Sequence, residues 1–364
     1  QDFGQLGVDP ASSPSCGASP CNPIPQKVEG LKDVLSVSAG KDFACARVDN
    51  NKGYCWGNNS KQQLQKPTAT LPMRFKPEVV SEGTAQIIAA GQYACILDLS
   101  GYLHCWGDNE CDLFGGGGDG GAVGVIELVH PQAKSLSLGP DSMCTVQAES
   151  SEIYCWGADH KGSLGHVVAA SASKCNGIPF DPVPTRWVTD AQGHIMNGAE
   201  SVHVGNGINC IRKTDGSVFC AGDNSHGGLG QGLPDGDNHY VPMEVPALKA
   251  QKLVVAGESA CAVTADSLLC WGDARYGTMD TGALGTDCGG TGCRPLGYVI
   301  PGQNGIRDLA LSTGGIATSK IDGAGGSWGR NDSGETSVSK DDPTNGNCTG
   351  NVKCIGGPRQ MKNP

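Results

Sequence analysis

Apolar positions along this chain come in short runs that stop at glycine, and the stops recur. "VSAG" (37–40), "IAAG" (88–91), "SLG" (137–139) and "VVAG" (254–257) each close such a run. Short apolar runs bounded by turn residues predict strands rather than helices. The small residues at their ends suit strands crowded against one another around an axis. Two further strand-like runs follow each stop, the second carrying the phrase Cys-Trp-Gly. Then comes a long polar connection and a Pro-bearing extended segment: "PEVV" from Pro77, "PMEV" from Pro242, "PRQM" from Pro358. Proline cannot donate to a ladder, so it marks the outer edge of a sheet.

The order repeats. Six positions after Trp56, Trp106 and Trp156 stand "QQLQ", "DLFG" and "GSLG". The fourth copy has Ala221 in place of Trp and "GGLG" at the same offset; Trp271 and Trp328 are followed by "GTMD" and "GETS". A fixed offset in six copies is the signature of a structural repeat. Units begin near Leu31, Gly83, Pro131, Asn197, Leu248 and Gln303. Each reads as four strands, which predicts an all-β fold, a β-propeller of four-stranded blades forming one domain over 1–364. Residues 1–30 read as a partial N-terminal repeat, with "GQLG" at 4–7 and "PQKV" at 25–28, and 31–364 as six complete repeats. A seven-bladed design is favoured, with six blades as the alternative.

The cysteines follow the same period. Cys45 goes with Cys55, Cys95 with Cys105, Cys144 with Cys155, Cys210 with Cys220 and Cys261 with Cys270, each pair with eight to ten residues between its members. The sixth unit has Ala317 and Ser327 there, so both members are missing together, as expected of one covalent unit. Opposed positions in an antiparallel hairpin lie within disulfide reach. Outside the hairpins, Cys16 is paired with Cys21, Cys288 with Cys293 and Cys348 with Cys354. Cys111 and Cys175 pair by elimination, spanning adjacent blades. No CxxC spacing occurs among the 18 cysteines, so disulfides in an oxidising compartment are favoured over zinc. The first residue is Gln1, which fits a processed product whose export signal has been removed.

Charge and chemistry then narrow the function. The formal charge of −11 argues against a nucleic-acid partner, because counterion release needs a basic face. No apolar run approaches the roughly 18 residues of a membrane span. "GGSWG" at 325–329 matches a nucleophile-elbow string but lacks the strand-turn-helix context, and "GGGGDGG" at 115–121 lacks the Lys of a phosphate loop. Asn58, Asp108, Asp223 and Asn331 follow the Trp-Gly phrase and read as turn caps rather than calcium ligands. His203 reads as a channel-lining residue, and the repeated tryptophans as wedges between blades. No cofactor or metal is expected.

The small-residue-Gly strand, the Cys-Ala strand, "CWG", "GQLG" and "PxxV" resemble the regulator of chromosome condensation repeat over nearly the whole chain. The resemblance implies a propeller, commonly seven-bladed. Its hairpin cysteines are similar to those of secreted bacterial members and depart from the nuclear ones, which removes the case for nucleotide exchange or chromatin binding. The expected function is a secreted, non-catalytic protein-binding propeller, an interaction scaffold or a surface- or filament-associated component with scope for self-assembly. The alternatives are an enzyme inhibitor, like the beta-lactamase inhibitor of the same repeat family, and a carbohydrate-binding lectin. Aromatic residues outside the repeated phrase are the candidate contacts: Phe43, Tyr93, Trp187, Tyr240 and Tyr276. Three glycosylation sequons occur, at Asn58, Asn331 and Asn347.

Overall fold

The computed structural model describes residues 3–13, 15–16, 19–20, 26–69, 71–114, 121–128, 132–169, 172–279, 292–330, 346–347 and 353–360. Six antiparallel meanders of four strands form a propeller. Blades 1 to 6 span 34–81, 84–128, 133–186, 199–244, 252–299 and 306–360. In each, chain order runs from the inner strand outward. Blade 1, for example, runs through Val34–Ala39, Phe43–Val48, Gly53–Asn58 and Met73–Ser81. The outer strands of blades 3 and 6 carry a fifth, two-residue strand, Lys174–Cys175 and Gly346–Asn347.

No seventh blade forms among the described residues. Among its described residues, the segment expected to be a partial repeat has one strand pairing, Ser15–Cys16 with Ser19–Pro20, separate from the blades. Residues 26–28, expected as an outer strand, are not in a strand. The "GQLG" loop is instead used as a cap for blade 1, described below.

The hairpin cysteines are direct register partners in the second and third strands of blades 1 to 5. Cys45 faces Cys55, Cys95 faces Cys105, Cys144 faces Cys155, Cys210 faces Cys220 and Cys261 faces Cys270. All five pairs are disulfides, with Cα atoms 4.0–4.2 Å apart. The buried sulfurs of Cys105, Cys155, Cys220 and Cys270, like those of their partners, are therefore core material and not surface contacts. In blade 6 the same register pairs Ala317 with Ser327. Cys111 and Cys175 join the loops of blades 2 and 3. Cys293 is disulfide-bonded. The pairings proposed for Cys16, Cys21, Cys288, Cys348 and Cys354 fall on residues outside the described ones or on undescribed side chains.

Blades pack through five junction cores built to one plan. The disulfide of one blade faces forward, onto the inner strand and tryptophan of the next. In the first junction, Cys45, Cys55 and Leu64 of blade 1 pack with Ile87 and Trp106 of blade 2. The indole nitrogen then donates backward, to a carbonyl in the preceding blade's long loop. Trp106 reaches Gln63 at 2.8 Å, Trp156 reaches Leu113 at 3.1 Å, Trp271 reaches Gly228 at 2.9 Å and Trp328 reaches Thr278 at 2.7 Å. Each accepting residue lies seven positions after the preceding blade's Trp or its equivalent. This satisfies a polar group that burial would otherwise leave unpaired.

Blade 4 lacks this tryptophan, and two other residues replace its two roles. Asn209, opposite Ala221 across the hairpin, donates its amide to Ser163 at 2.9 Å, the carbonyl a tryptophan would have taken. Trp187, just after the outer strand of blade 3, fills the space beside Ala221 and is fully buried. Its ring lies so close to Gly165 that a Cβ there would clash with it. Glycine also lets the blades meet at the axis. A Cβ on Gly139 would lie 2.7 Å from the Gly205 carbonyl, and one on Gly205 would come closer still to that of Gly257.

Two substitutions test the replacement. Trp187→Ala opens a cavity in the blade 3/4 core and should cost about 3–5 kcal/mol. Asn209→Leu leaves the buried Ser163 carbonyl unpaired and should cost about 1–3 kcal/mol. Urea unfolding midpoints read both; a loss below about 0.5 kcal/mol in each would remove the compensating roles.

Candidate functional site

Among the described residues, five junction cores serve six blades, and the junction from blade 6 back to blade 1 has none. A cavity of about 760 Å³ runs along the inner strands of blades 1, 3, 4, 5 and 6 and reaches this junction. Gln5, Leu6, Val37 and Trp56 line it from blade 1 and its N-terminal loop; Ile316, Ala317 and Ser327 line it from blade 6.

Half of a normal junction is present. The loop around residues 4–7 has the backbone of the repeated tetrapeptide. Gly4 and Gly7 have φ of 71° and 78°, and the Gly7 N–H donates to the Gly4 carbonyl at 2.9 Å. Gly227 and Gly230 repeat that turn, with φ of 72° and 70°. Trp56 donates its indole N–H to Gln5 at 3.0 Å, as the other tryptophans do to their loops. The N-terminal segment therefore supplies the loop of a preceding unit.

What is missing is the cover. Leu6 occupies the place of Leu64, Leu164 and Leu229, each 0% exposed, yet it is 44% exposed. Strand register makes Val37 equivalent to Ile87, Leu136, Val202, Leu253 and Leu309. Those five are 1–9% exposed, whereas Val37 is 70% exposed. Val34 and Leu35 on the same strand are also exposed. The opposing wall differs in character. At the register positions of Phe43, Cys45 and Cys55, blade 6 has Gly315, Ala317 and Ser327. An apolar wall thus faces a small, partly polar one.

His203 lies deeper in the same cavity, on the inner strand of blade 4, with its Nε2 3.0 Å from the Ser201 hydroxyl. The ring is partly open to the channel, but the surrounding strands desolvate it. Burial first, and the Arg212 charge second, pull its pKa from the ordinary 6.5 down to about 4. The imidazole is therefore neutral at pH 7 and serves as a wall rather than a charge.

At one end, the connecting loops close each of the five junctions that have a core, with a different contact each time. Lys61 pairs with Asp108 at 3.2 Å, Cys111 bonds Cys175, Lys161 pairs with Asp223 at 3.2 Å, His226 pairs with Glu258, and Arg330 lies over the Tyr276 ring at 5.8 Å. Asn58 and Asp223 also cap turns, accepting the N–H of Ser60 and Ser225 at 2.8 Å each. Asn58 is buried, which closes that sequon to an oligosaccharide. Asn331 and the side chain of Asn347 lie outside the described residues.

These placements revise the candidate contacts. Phe43, Tyr93 and Trp187 are core residues of three junctions, all at most 2% exposed, and present no surface to a partner. Tyr93 donates its buried hydroxyl to Gly139 at 2.7 Å. Tyr240 and Tyr276 are half-buried at the blade 3/4 and 5/6 loop contacts. The structure does not bring the five together. It exposes Leu6 and Val37 instead, which composition does not mark. Aligning the units on their glycines would mark them, because no described unit stands before blade 1 to cover them.

Acid stability tests the state of His203. Between pH 6.5 and about 4 the unfolded chain binds a proton that the folded chain does not. Stability contributed by the neutral ring is therefore present above this window and falls as pH drops through it. His203→Gln should flatten the acid limb of the stability profile relative to the parent protein. Parallel profiles would show that the ring titrates normally.

The regulator of chromosome condensation (RCC1) repeat matches residues 34–63 and again 215–263. The ultraviolet-B receptor UVR8 of Arabidopsis thaliana is 30% identical over 206 residues, which cover 54% of this chain and 43% of the receptor. Protein pim1 of Schizosaccharomyces pombe is 25% identical over 248 residues, 62% of this chain and 42% of pim1. The human probable E3 ubiquitin-protein ligase HERC4 is 26% identical over 159 residues, 41% of this chain and 15% of the ligase. The chain thus spans less than half the length of these curated relatives. Among solved structures, Prp20p of Saccharomyces cerevisiae superposes with a TM-score of 0.77 at 14% identity, covering 99% of this chain and 84% of that one. Human WBSCR16 superposes with a TM-score of 0.73 at 16% identity, covering 99% and 91%. At these identities the structural likeness speaks to the fold alone. The two matches identify regulator of chromosome condensation repeats within this propeller, at 34–63 in blade 1 and at 215–263 across blades 4 and 5.

Proposed function

We propose that this chain is a non-catalytic, protein-binding propeller that works outside the reducing cytosol, secreted or held at a cell surface as an interaction scaffold. The observation that carries the compartment is the sulfur chemistry: six disulfides with both partners described, and no free cysteine among the described residues. Disulfides at this density belong to oxidising compartments.

Protein binding is supported by the unpaired apolar wall at the seam and by the family. Prp20p has binding properties toward Gsp1p and histones, and Kap60 binds the same yeast protein. Those partners are theirs; what carries over is a rigid ring that presents loops and a channel to proteins. The absence of catalysis is supported by Ser327, the serine of the nucleophile-like string. It sits in mid-strand opposite Ala317, not on the strand-to-helix turn that such a nucleophile needs.

Thiol trapping in the native host tests the compartment. Alkylation before lysis should label no cysteine, and the mass should be lower than that of the reduced chain by one hydrogen per cysteine. Reduction should then destabilise the protein by about 2–3 kcal/mol for each hairpin bond. Labelled hairpin cysteines in protein from the cell interior would place it in a reducing compartment and contradict the reading.

A further inference from the structure

In five of the six blades, the turn between the second and third strands is clamped to the segment that enters the blade. The donor is the N–H four residues after the first cysteine position of the hairpin. The acceptor is the carbonyl five residues before that position's register partner on the inner strand. Asp49 donates to Asp33 at 3.0 Å, Leu99 to Gly83 at 2.9 Å, Ala148 to Gln132 at 2.8 Å, Thr214 to Gly198 at 3.3 Å and Ile321 to Gly305 at 2.9 Å.

The equivalents in blade 5 are Ala265 and Lys249, and no bond joins them among the described residues. The turn there is one residue shorter. Cys261 and Cys270 are 9 positions apart, against 10 or 11 in the other four hairpin disulfides. It closes on itself: the Thr264 N–H donates to the Ser267 carbonyl at 2.9 Å, and the Ser267 N–H to the Thr264 hydroxyl at 3.2 Å. A cavity of about 520 Å³ opens where the clamp is missing, lined by both the entering segment and the turn. Residues 172–279 and 292–330 are described without a break, so each segment that meets there is complete.

The walls are apolar, from Val245, Leu248, Leu269, Trp271 and Leu296. Asp266, exposed in the turn, lines the cavity too, and its carboxylate has no partner among the described residues. The other charged residue on the lining, Lys249, is already engaged, its ammonium 2.7 Å from Asp215. With the clamp unmade, the Lys249 carbonyl is a second unused acceptor. Two acceptors, one of them charged, therefore stand beside an apolar wall in a cavity of the size that encloses small molecules. Such acceptors are met best by a positively charged donor.

We propose that this cavity binds a small organic cation, an ammonium group carried on an aliphatic or aromatic body. The ammonium is met by the Asp266 carboxylate, with the Lys249 carbonyl as second acceptor. The body covers Leu248, Leu269 and Leu296, the last of which is 55% exposed in the free chain. The ligand thereby restores, through itself, the tie between turn and entering segment that the other blades make directly. The site is independent of the protein-binding reading and stands or falls apart from it.

Calorimetric titration of the full 364-residue chain with phenethylamine, hexylamine and phenylpropionate tests the assignment. Both amines should bind saturably at one site, with dissociation constants of about 1 mM or tighter. Phenylpropionate, with the same ring and the opposite charge, should bind about tenfold or more weakly than phenethylamine. Asp266→Asn should weaken the amines about tenfold, whereas Asp322→Asn, in the same turn of blade 6, should leave them unchanged. Gly297→Leu builds a side chain toward Leu269, whose Cδ2 lies 3.1 Å from the new Cβ, and should abolish binding. Thermal midpoints check that each variant is folded; should Gly297→Leu unfold the chain, Asp266→Asn still reads the contact. No saturable binding of either amine, equal affinity for phenylpropionate, or unchanged affinity in Asp266→Asn would overturn the assignment.

Discussion

A blade of four strands cannot bury its own faces, so everything in this molecule depends on the contact between one blade and the next. That contact has two halves of different chemistry. The forward half is a compact disulfide lying over a neighbour's inner strand. The backward half is an indole whose N–H reaches a loop carbonyl of the preceding blade. Removing either leaves something burial penalises: an empty core or an unpaired polar group. Blade 4 shows the constraint most plainly. It has no tryptophan in the repeated phrase, yet both functions survive, the ring volume through Trp187 and the donor through Asn209.

The same dependence explains the seam. Trp56 needs an acceptor, and the loop around Gln5 provides one although no blade precedes it among the described residues. Leu6 and Val37 need a cover, and the described residues provide none. Blade 6 differs in step: it carries Ala317 and Ser327 at the cysteine positions. The exposed apolar wall and the lost disulfide are the two sides of the one junction that has no core among the described residues.

Much of this was legible in the sequence because the repeat period is strict. The hairpin cysteines are register partners, as their spacing and their joint absence in the sixth unit implied. The link from Cys111 to Cys175 followed from elimination, and the wedge role of the tryptophans from recurrence. Aromatic content misled where pleating decides. Phe43 and Tyr93 stand two residues before Cys45 and Cys95, so they share the cysteines' face and enter the junction core. Trp187 lies outside the repeated phrase, and its role follows only when the missing ring at Ala221 is noticed. The N-terminal loop read as a blade remnant, whereas its backbone is a cap, since what Trp56 requires is one carbonyl and not a sheet. The seam residues were hidden because Leu6 and Val37 are ordinary core residues in type. Their exposure comes from topology, which composition does not carry.

Backbone hydrogen–deuterium exchange, read strand by strand on the intact chain, tests most directly whether one junction is open. The inner strand of blade 1, Val34–Ala39, should exchange well ahead of the inner strands of blades 2 to 6, whose edges are covered by a preceding blade. Equal protection of all six inner strands would mean that the ring is closed at every junction and would contradict the open seam.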